Sequence, residues 1–184
     1  MQSIDETDLG TPASSATAEV ALSIDGRAIR VRAGTSVLRA AAEAGIDIPR
    51  LCATDLLEPF GSCRVCLVQI EGVKGYPASC TTPVADGMRV TTRSDRLDAL
   101  RRGVLELYLS DHPPDAGAAV PGLRSELEAV VDATGLREVR YGFDGANHVR
   151  PLLADGRANP AWREPDSSNP YFRFDPAACI VCSR

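Results

Sequence analysis

The sequence predicts a small α+β domain, one helix packed across a mixed sheet, followed by a mostly helical and loop extension. Three observations carry that expectation. Apolar and polar residues alternate on both sides of an Asp25-Gly26 pair. A single short amphipathic segment, capped at both ends, comes next. Beyond Ser94 the apolar period changes from that of strands to that of helices.

In chain order, residues 1–18 are rich in Ser, Thr, Ala and acid, with little apolar mass, and are expected to form a disordered arm. "EVALSI" then places Val20, Leu22 and Ile24 on one strand face. Asp25-Gly26 is a two-residue hairpin signal, and "RAIRVRA" is the return strand. "GTSVLRAAAEAG" opens with a capping Thr35 or Ser36 and ends at Gly45. Val37, Leu38, Ala41 and Ala44 fall at helical spacing between them. "CLVQIEG" is strand-like, and "MRVTT" is a last short strand after the Asp86-Gly87 turn. This first domain is expected over residues 19–93.

Ser94 can cap a helix whose apolar stripe is Leu97, Leu100, Val104, Leu107 and Tyr108, packing on the first domain or on a partner. "LRSELEAVVDATG" reads as a further helix stopped by Gly135, completing a helical segment over 94–135. "REVRYG" is a short strand candidate inside a loop-rich linker over 136–170, and residues 171–184 form the tail.

Composition narrows the function. A globule of 184 residues buries roughly 70% of its unfolded surface, so it needs no disulfides to fold. The net charge of −5 argues against nucleic-acid binding, which needs a basic face. No apolar run approaches the ~18 residues of a membrane-spanning helix. The acidic, Arg-free start lacks the marks of a secretory or organellar leader, so a cytoplasmic location is expected. In that reducing compartment, clustered cysteines point to metal or redox chemistry.

Cys52, Cys63, Cys66 and Cys80 stand in a C-x10-C-x2-C-x13-C pattern, and no other cysteine occurs before residue 179. Four thiolates suit a cluster of two irons and two sulfides, with two sulfurs per iron. Cys63-Arg64-Val65-Cys66 is tight enough to present two sulfurs to one small centre. Gly61 can take a positive φ and let N–H groups approach sulfide, so Gly61, Ser62, Arg64 and Val65 would shape the loop. Tetrahedral zinc also accepts four thiolates, but structural zinc usually uses two close-spaced pairs, and only one lies in this domain. Unligated thiols remain a third reading.

The stretch "GTSVLRAAAEAGIDIPRLC", the cysteine spacing, "CLVQIEG" and "PASCTTPVADGMRV" together resemble one type of two-iron ferredoxin domain. It begins the large iron–sulfur subunit of NADH dehydrogenase (complex I), the alpha subunit of NAD-linked formate dehydrogenase and the small diaphorase subunit of NAD-reducing hydrogenase. The resemblance covers residues 19–112 and 170–184. It implies a β-grasp fold, a [2Fe-2S] cluster on Cys52, Cys63, Cys66 and Cys80, and one-electron transfer. It also implies a flavin- or molybdopterin-bearing dehydrogenase subunit as partner, with no nucleic acid and no insertion into a membrane.

Two departures from that family stand out. "LYLSDHPPD" matches the start of a four-iron site and puts His112 at its histidine. The three cysteine positions that should follow read Ala116, Ala119 and Ser125, none of which can replace a thiolate. "FDPAACIVC" looks like the start of a second four-iron motif, but the chain stops at Arg184, one residue before a third cysteine would fall. Cys179 and Cys182 are therefore expected to be a truncated ligand pair, and no four-iron cluster is expected in this chain. His148 reads as a surface residue. The lost cysteines favour a formate dehydrogenase-like parent over an NADH dehydrogenase-like one. The alternative is a zinc-stabilised or metal-free module that tethers a redox complex.

Overall fold

The computed structural model describes residues 8–113, 125–140 and 150–182. They fall into two compact units, one running to Arg101 and the other from Arg102 to Cys182.

The first unit is built on a hairpin. Strands β1 (Glu19–Ile24) and β2 (Arg27–Arg32) pair antiparallel from Glu19 opposite Arg32 to Ile24 opposite Arg27. Asp25 and Gly26 both take positive φ, the backbone that a tight two-residue hairpin turn demands. The Asp25 carboxylate also accepts the Thr92 N–H at 2.7 Å and the Thr92 hydroxyl, tying the turn to the end of a later strand.

That later strand is β4 (Arg89–Thr91). It lies parallel to β1, and β3 (Gln69–Ile70) lies antiparallel on its other side. The order β2-β1-β4-β3 gives the small mixed sheet that the sequence predicts. Helix α1 (Val37–Glu43) lies across it. Ser36 caps the helix, its hydroxyl accepting the Arg39 N–H at 3.0 Å, and Gly45 follows in the left-handed region. Leu22, Ile24, Val31, Val37, Leu38, Ala41, Val68, Ile70 and Val90 fill the core between sheet and helix. Cys66 and Cys80 belong to the same core.

Four expectations need correction. The strand-like run "CLVQIEG" holds only the two residues of β3. Its first half instead forms an isolated bridge between Leu67 and Ala78, which keeps the backbone free to bend around Cys66. Residues 8–18 lie against the domain despite their polar composition. The Ser14 hydroxyl donates to the Ala33 carbonyl at 2.6 Å, the Thr11 and Ser36 hydroxyls are 2.8 Å apart, and the Arg39 guanidinium donates to the Thr11 carbonyl. Polar side chains thus replace the missing apolar mass. Residues 1–7 lie outside the described residues.

The third correction concerns α2 (Asp95–Ser110), which starts in the first unit and continues into the second. Its Leu97 N–H donates to Ser94 Oγ at 3.2 Å, as the sequence predicts. Leu107, however, is 58% exposed, whereas Leu97, Arg101 and Leu105 are buried. These three are four residues apart, so they share one helix face. An arginine in the middle hides that face from any reading of apolar spacing.

Fourth, residues 137–140 of the strand candidate "REVRYG" carry no regular structure, and the rest of that candidate lies outside the described residues.

In the second unit, α3 (Glu126–Thr134) starts from a capping box. Ser125 Oγ accepts the Glu128 N–H at 3.1 Å, and the Glu128 carboxylate accepts the Ser125 N–H at 2.9 Å. Gly135 ends the helix at φ 70. Buried Glu106 on α2 receives the Arg140 guanidinium at 2.7 and 3.0 Å, and this pairing holds its carboxyl below the usual range. No helix among the described residues is long and apolar enough to cross a membrane.

Candidate metal centre

All four cysteines of the pattern are buried, between 0 and 5% exposed, and none forms a disulfide. They arrive on three segments. Cys52 follows the chain leaving α1, where Ile48 and Leu51 anchor it in the core. Cys63 and Cys66 sit in the loop before β3. Cys80 lies on the turn that leads back under α1, where the Leu38 N–H donates to the Ser79 carbonyl at 3.1 Å.

The thiols lie within reach of one another: the Cys52 sulfur faces Cys63 and Cys80, and the Cys80 sulfur faces both Cys52 and Cys66. Among the described residues no three metal-ligating side chains are grouped for a single ion.

In the loop between Cys52 and Cys66, Gly61 takes φ 72 and Arg64 takes φ 54. A Cβ on Gly61 would come within 3.2 Å of Thr81 Cγ2, so the glycine lets the loop pass close to the Cys80 segment. The left-handed Arg64 turns the chain between Cys63 and Cys66. Its own side chain lies outward, with Nη2 3.4 Å from the Tyr76 carbonyl.

Hydrogen-bond donors surround the sulfurs. The Val65 N–H points at the Cys63 sulfur, the Cys63 N–H at that of Cys52, and the Cys80 N–H at that of Cys66. The Ser62 hydroxyl also reaches Cys52. Without iron, hydrogen bonds from the Cys63 and Cys80 thiols pull the Cys52 thiol far below its ordinary value. The hydrogen bond from Cys80 brings Cys66 down to about 6, against the opposing effect of burial. Cys63 and Cys80 are pushed up, first by donating to neighbouring sulfur and then by burial. The mutual hydrogen bonds thus favour the thiolate at Cys52 and Cys66, and the thiolate is the form that binds metal.

Two residues here escape sequence reasoning. Ser79 is fully buried, and both its N–H and its hydroxyl donate to the Cys66 carbonyl, at 2.9 and 2.8 Å. It fixes Cys66 against the segment that carries Cys80. The only sequence signal is a small polar residue next to a candidate ligand. The second residue is Arg101, 3% exposed, whose guanidinium reaches the Leu67 carbonyl just beyond Cys66.

The other candidate positions lie elsewhere. Cys179 is exposed and Cys182 half-buried, both in the second unit, with the Val181 N–H 3.4 Å from Cys179 Sγ. His112 Nδ1 lies 3.0 Å from the Pro113 carbonyl. Ser125 serves as the cap of α3, while Ala116, Ala119 and His148 lie outside the described residues.

A mixed sheet crossed by one helix, with four buried thiols within reach of one another, defines an iron–sulfur domain. The comparison with known families agrees: residues 17–95 match the 2Fe-2S iron–sulfur cluster binding domain. Over 165 residues the chain is 36% identical to the NADPH-Fe(3+) oxidoreductase subunit alpha of Geobacter sulfurreducens, covering 90% of this chain and 18% of that protein. It is also 39% identical over 167 residues to the mitochondrial NADH-ubiquinone oxidoreductase 78 kDa subunit of Candida albicans, covering 91% of this chain and 21% of the other. A solved NAD+-reducing [NiFe]-hydrogenase contains a chain that aligns with a TM-score of 0.69 at 28% identity, over 89% of this chain and 62% of that one. The protein thus spans about a fifth of the length of these curated relatives.

The donor set fits the cluster that the matched domain binds: four buried sulfurs facing one another, with backbone N–H groups aimed at them.

Proposed function

We propose that Cys52, Cys63, Cys66 and Cys80 are the four ligands of the [2Fe-2S] cluster, and that the chain relays single electrons within an NAD(P)-linked oxidoreductase assembly. The burial of the four sulfurs within reach of one another carries this reading. Cys52 and Cys63 would hold one iron, and Cys66 and Cys80 the other. When bound, the cluster supplies a one-electron couple, and no bond of a substrate is made or broken on it. The residues of this chain do the rest. Gly61 and Arg64 shape the loop, Ser62 and the Cys63, Val65 and Cys80 N–H groups stabilise thiolate charge, and Val65 and Val68 keep water out.

The named relatives are subunits linked to NADPH and NADH, which supports a pyridine-nucleotide assembly. Within it, a flavin- or molybdopterin-bearing subunit in the cytoplasm is the partner we propose. A formate dehydrogenase-like parent is our finer reading. It rests on the sequence departures at Ala116, Ala119 and Ser125 and on the short linker that follows.

Anaerobically purified protein, analysed for iron and acid-labile sulfide, tests the assignment. Two of each per chain are expected. The dithionite-reduced protein should show one spin system in electron paramagnetic resonance. Cys63→Ser should lose the native spectrum, while Cys179→Ala keeps it. An unaltered spectrum in Cys63→Ser would remove that residue from the ligand set, and a colourless protein holding one zinc would sink the relay.

A further inference from the structure

Arg101 is a buried cation beside the cysteine site. It is 3% exposed, and it stands on the first turns of α2, within the first unit. Its Nη2 donates to the Leu67 carbonyl at 2.6 Å and to the Thr92 carbonyl at 2.8 Å. Leu67 directly follows Cys66, and Thr92 directly follows β4. Its Nε is buried with no hydrogen-bond partner. The nearest counter-charge, Asp98, is 46% exposed and 3.4 Å from Nη1. That carboxylate is therefore partly screened by water, whereas the guanidinium is not. An arginine stays protonated even where burial pulls its affinity for the proton down, as it does here.

A buried charge left this incompletely neutralised is costly, and one structural task does not require it. A neutral amide could satisfy either carbonyl. What an amide cannot supply is a fixed positive field on the Cys66 side of the site. Reduction adds one electron, and one negative charge, to a thiolate-ligated centre that is already anionic. A buried cation stabilises the reduced state more than the oxidised one.

We propose that Arg101 is a positioning and electrostatic residue that raises the reduction potential of the cluster, acting through the Leu67 carbonyl and through its uncompensated charge. The proposal rests on the four-cysteine ligand assignment above. The charged groups around it are Cys66 in the cysteine site, Asp98 on its own helix and Arg93 just before that helix. In the couple, one electron passes from an external donor to the iron pair, one ferric ion becoming ferrous, with no proton taken up by Arg101.

Mediated redox titration of the holoprotein, followed by visible absorbance and electron paramagnetic resonance, is the test. At a fixed ambient potential near the wild-type midpoint, Arg101→Gln should lower the reduced-to-oxidised ratio about tenfold, equivalent to ~59 mV for a one-electron couple. Arg101→Lys should restore the ratio to within about threefold of wild type, because it keeps the charge. An Arg101→Gln protein with an intact cluster spectrum and an unchanged ratio overturns the proposal and leaves the ligand assignment standing. Loss of the cluster signal from the wild-type protein would instead mean that the ligand reading had failed.

If Arg101→Gln does not assemble a cluster, Asp98→Asn decides. Freeing Arg101 from its counter-charge should raise the ratio about threefold, whereas Asp95→Asn in the same helix turn should leave it unchanged. Equal effects of the two, or none, overturn the proposal.

Discussion

Asp8 shows how one carboxylate can hold a segment that composition would leave loose. It accepts the Gly10 N–H at 2.7 Å and the Asp55 N–H at 3.1 Å, and it faces Arg50 at 3.6 Å. Arg50 in turn donates to the Asp8 carbonyl at 2.7 Å. The polar strap therefore grips the chain on both sides of Cys52. Burial alone would raise the Asp8 proton affinity, but the Gly10 and Asp55 N–H groups, Thr54 and Arg50 together lower it below the ordinary 3.8. A carboxylate depressed in the folded state stabilises it fully above the unfolded value and loses that contribution as pH falls through the folded value. Asp8→Asn should therefore melt at a lower temperature than wild type near pH 7. The gap should close as the pH drops below about 3.8, as circular dichroism melts across pH would show. A gap of constant size would remove the carboxylate charge from the account.

At the scale of elements, legibility tracks how local the physics is. Turn chemistry at Asp25-Gly26 and the Ser36 cap are decided by neighbouring residues, so the hairpin and α1 stand where the sequence predicts. The buried face of α2 does not, because Arg101 counts as polar in a sequence and is core in the structure. The meeting of the sulfurs is equally hidden. It depends on contacts between segments, Ser79 with Cys66 and Gly61 with Thr81, that no spacing rule contains. Ser125 makes the same point from the other side. A position that resemblance marks as a lost ligand works here as the cap of a helix. The Gly61 loop carries a testable cost. Gly61→Ala must hold φ near 72 and displace Thr81, so a loss of about 1–2 kcal/mol from the backbone alone is expected, with more from the crowding. Urea unfolding of the holoprotein measures it, and a variant as stable as wild type would show that the loop relaxes freely.

For the molecule as a whole, the mixed sheet and the cysteine loop are distinct in their source of order. The sheet rests on an apolar core of Leu22, Ile24, Leu38, Val68 and Val90, whereas the loop from Cys52 to Cys63 exposes Leu56 at 88% and Phe60 at 56%. Removing iron should loosen the second and spare the first. Chymotrypsin should then cut near Leu56 and Phe60 faster after chelation, while strand content in circular dichroism stays near that of the holoprotein. Equal cutting rates would show that the loop is held by the protein alone.

If the four cysteines hold the cluster as proposed, the centre is also a pair of stitches. With the proposed ligands, an iron on Cys52 and Cys63 and another on Cys66 and Cys80 would each close a short circuit of chain. By analogy with a disulfide, a closed loop of ~15 residues removes about 3 kcal/mol of unfolded-state freedom. Assembly of the prosthetic group is then also the last step of folding for this stretch. A cell short of iron would be left with a finished sheet and an unfastened hem.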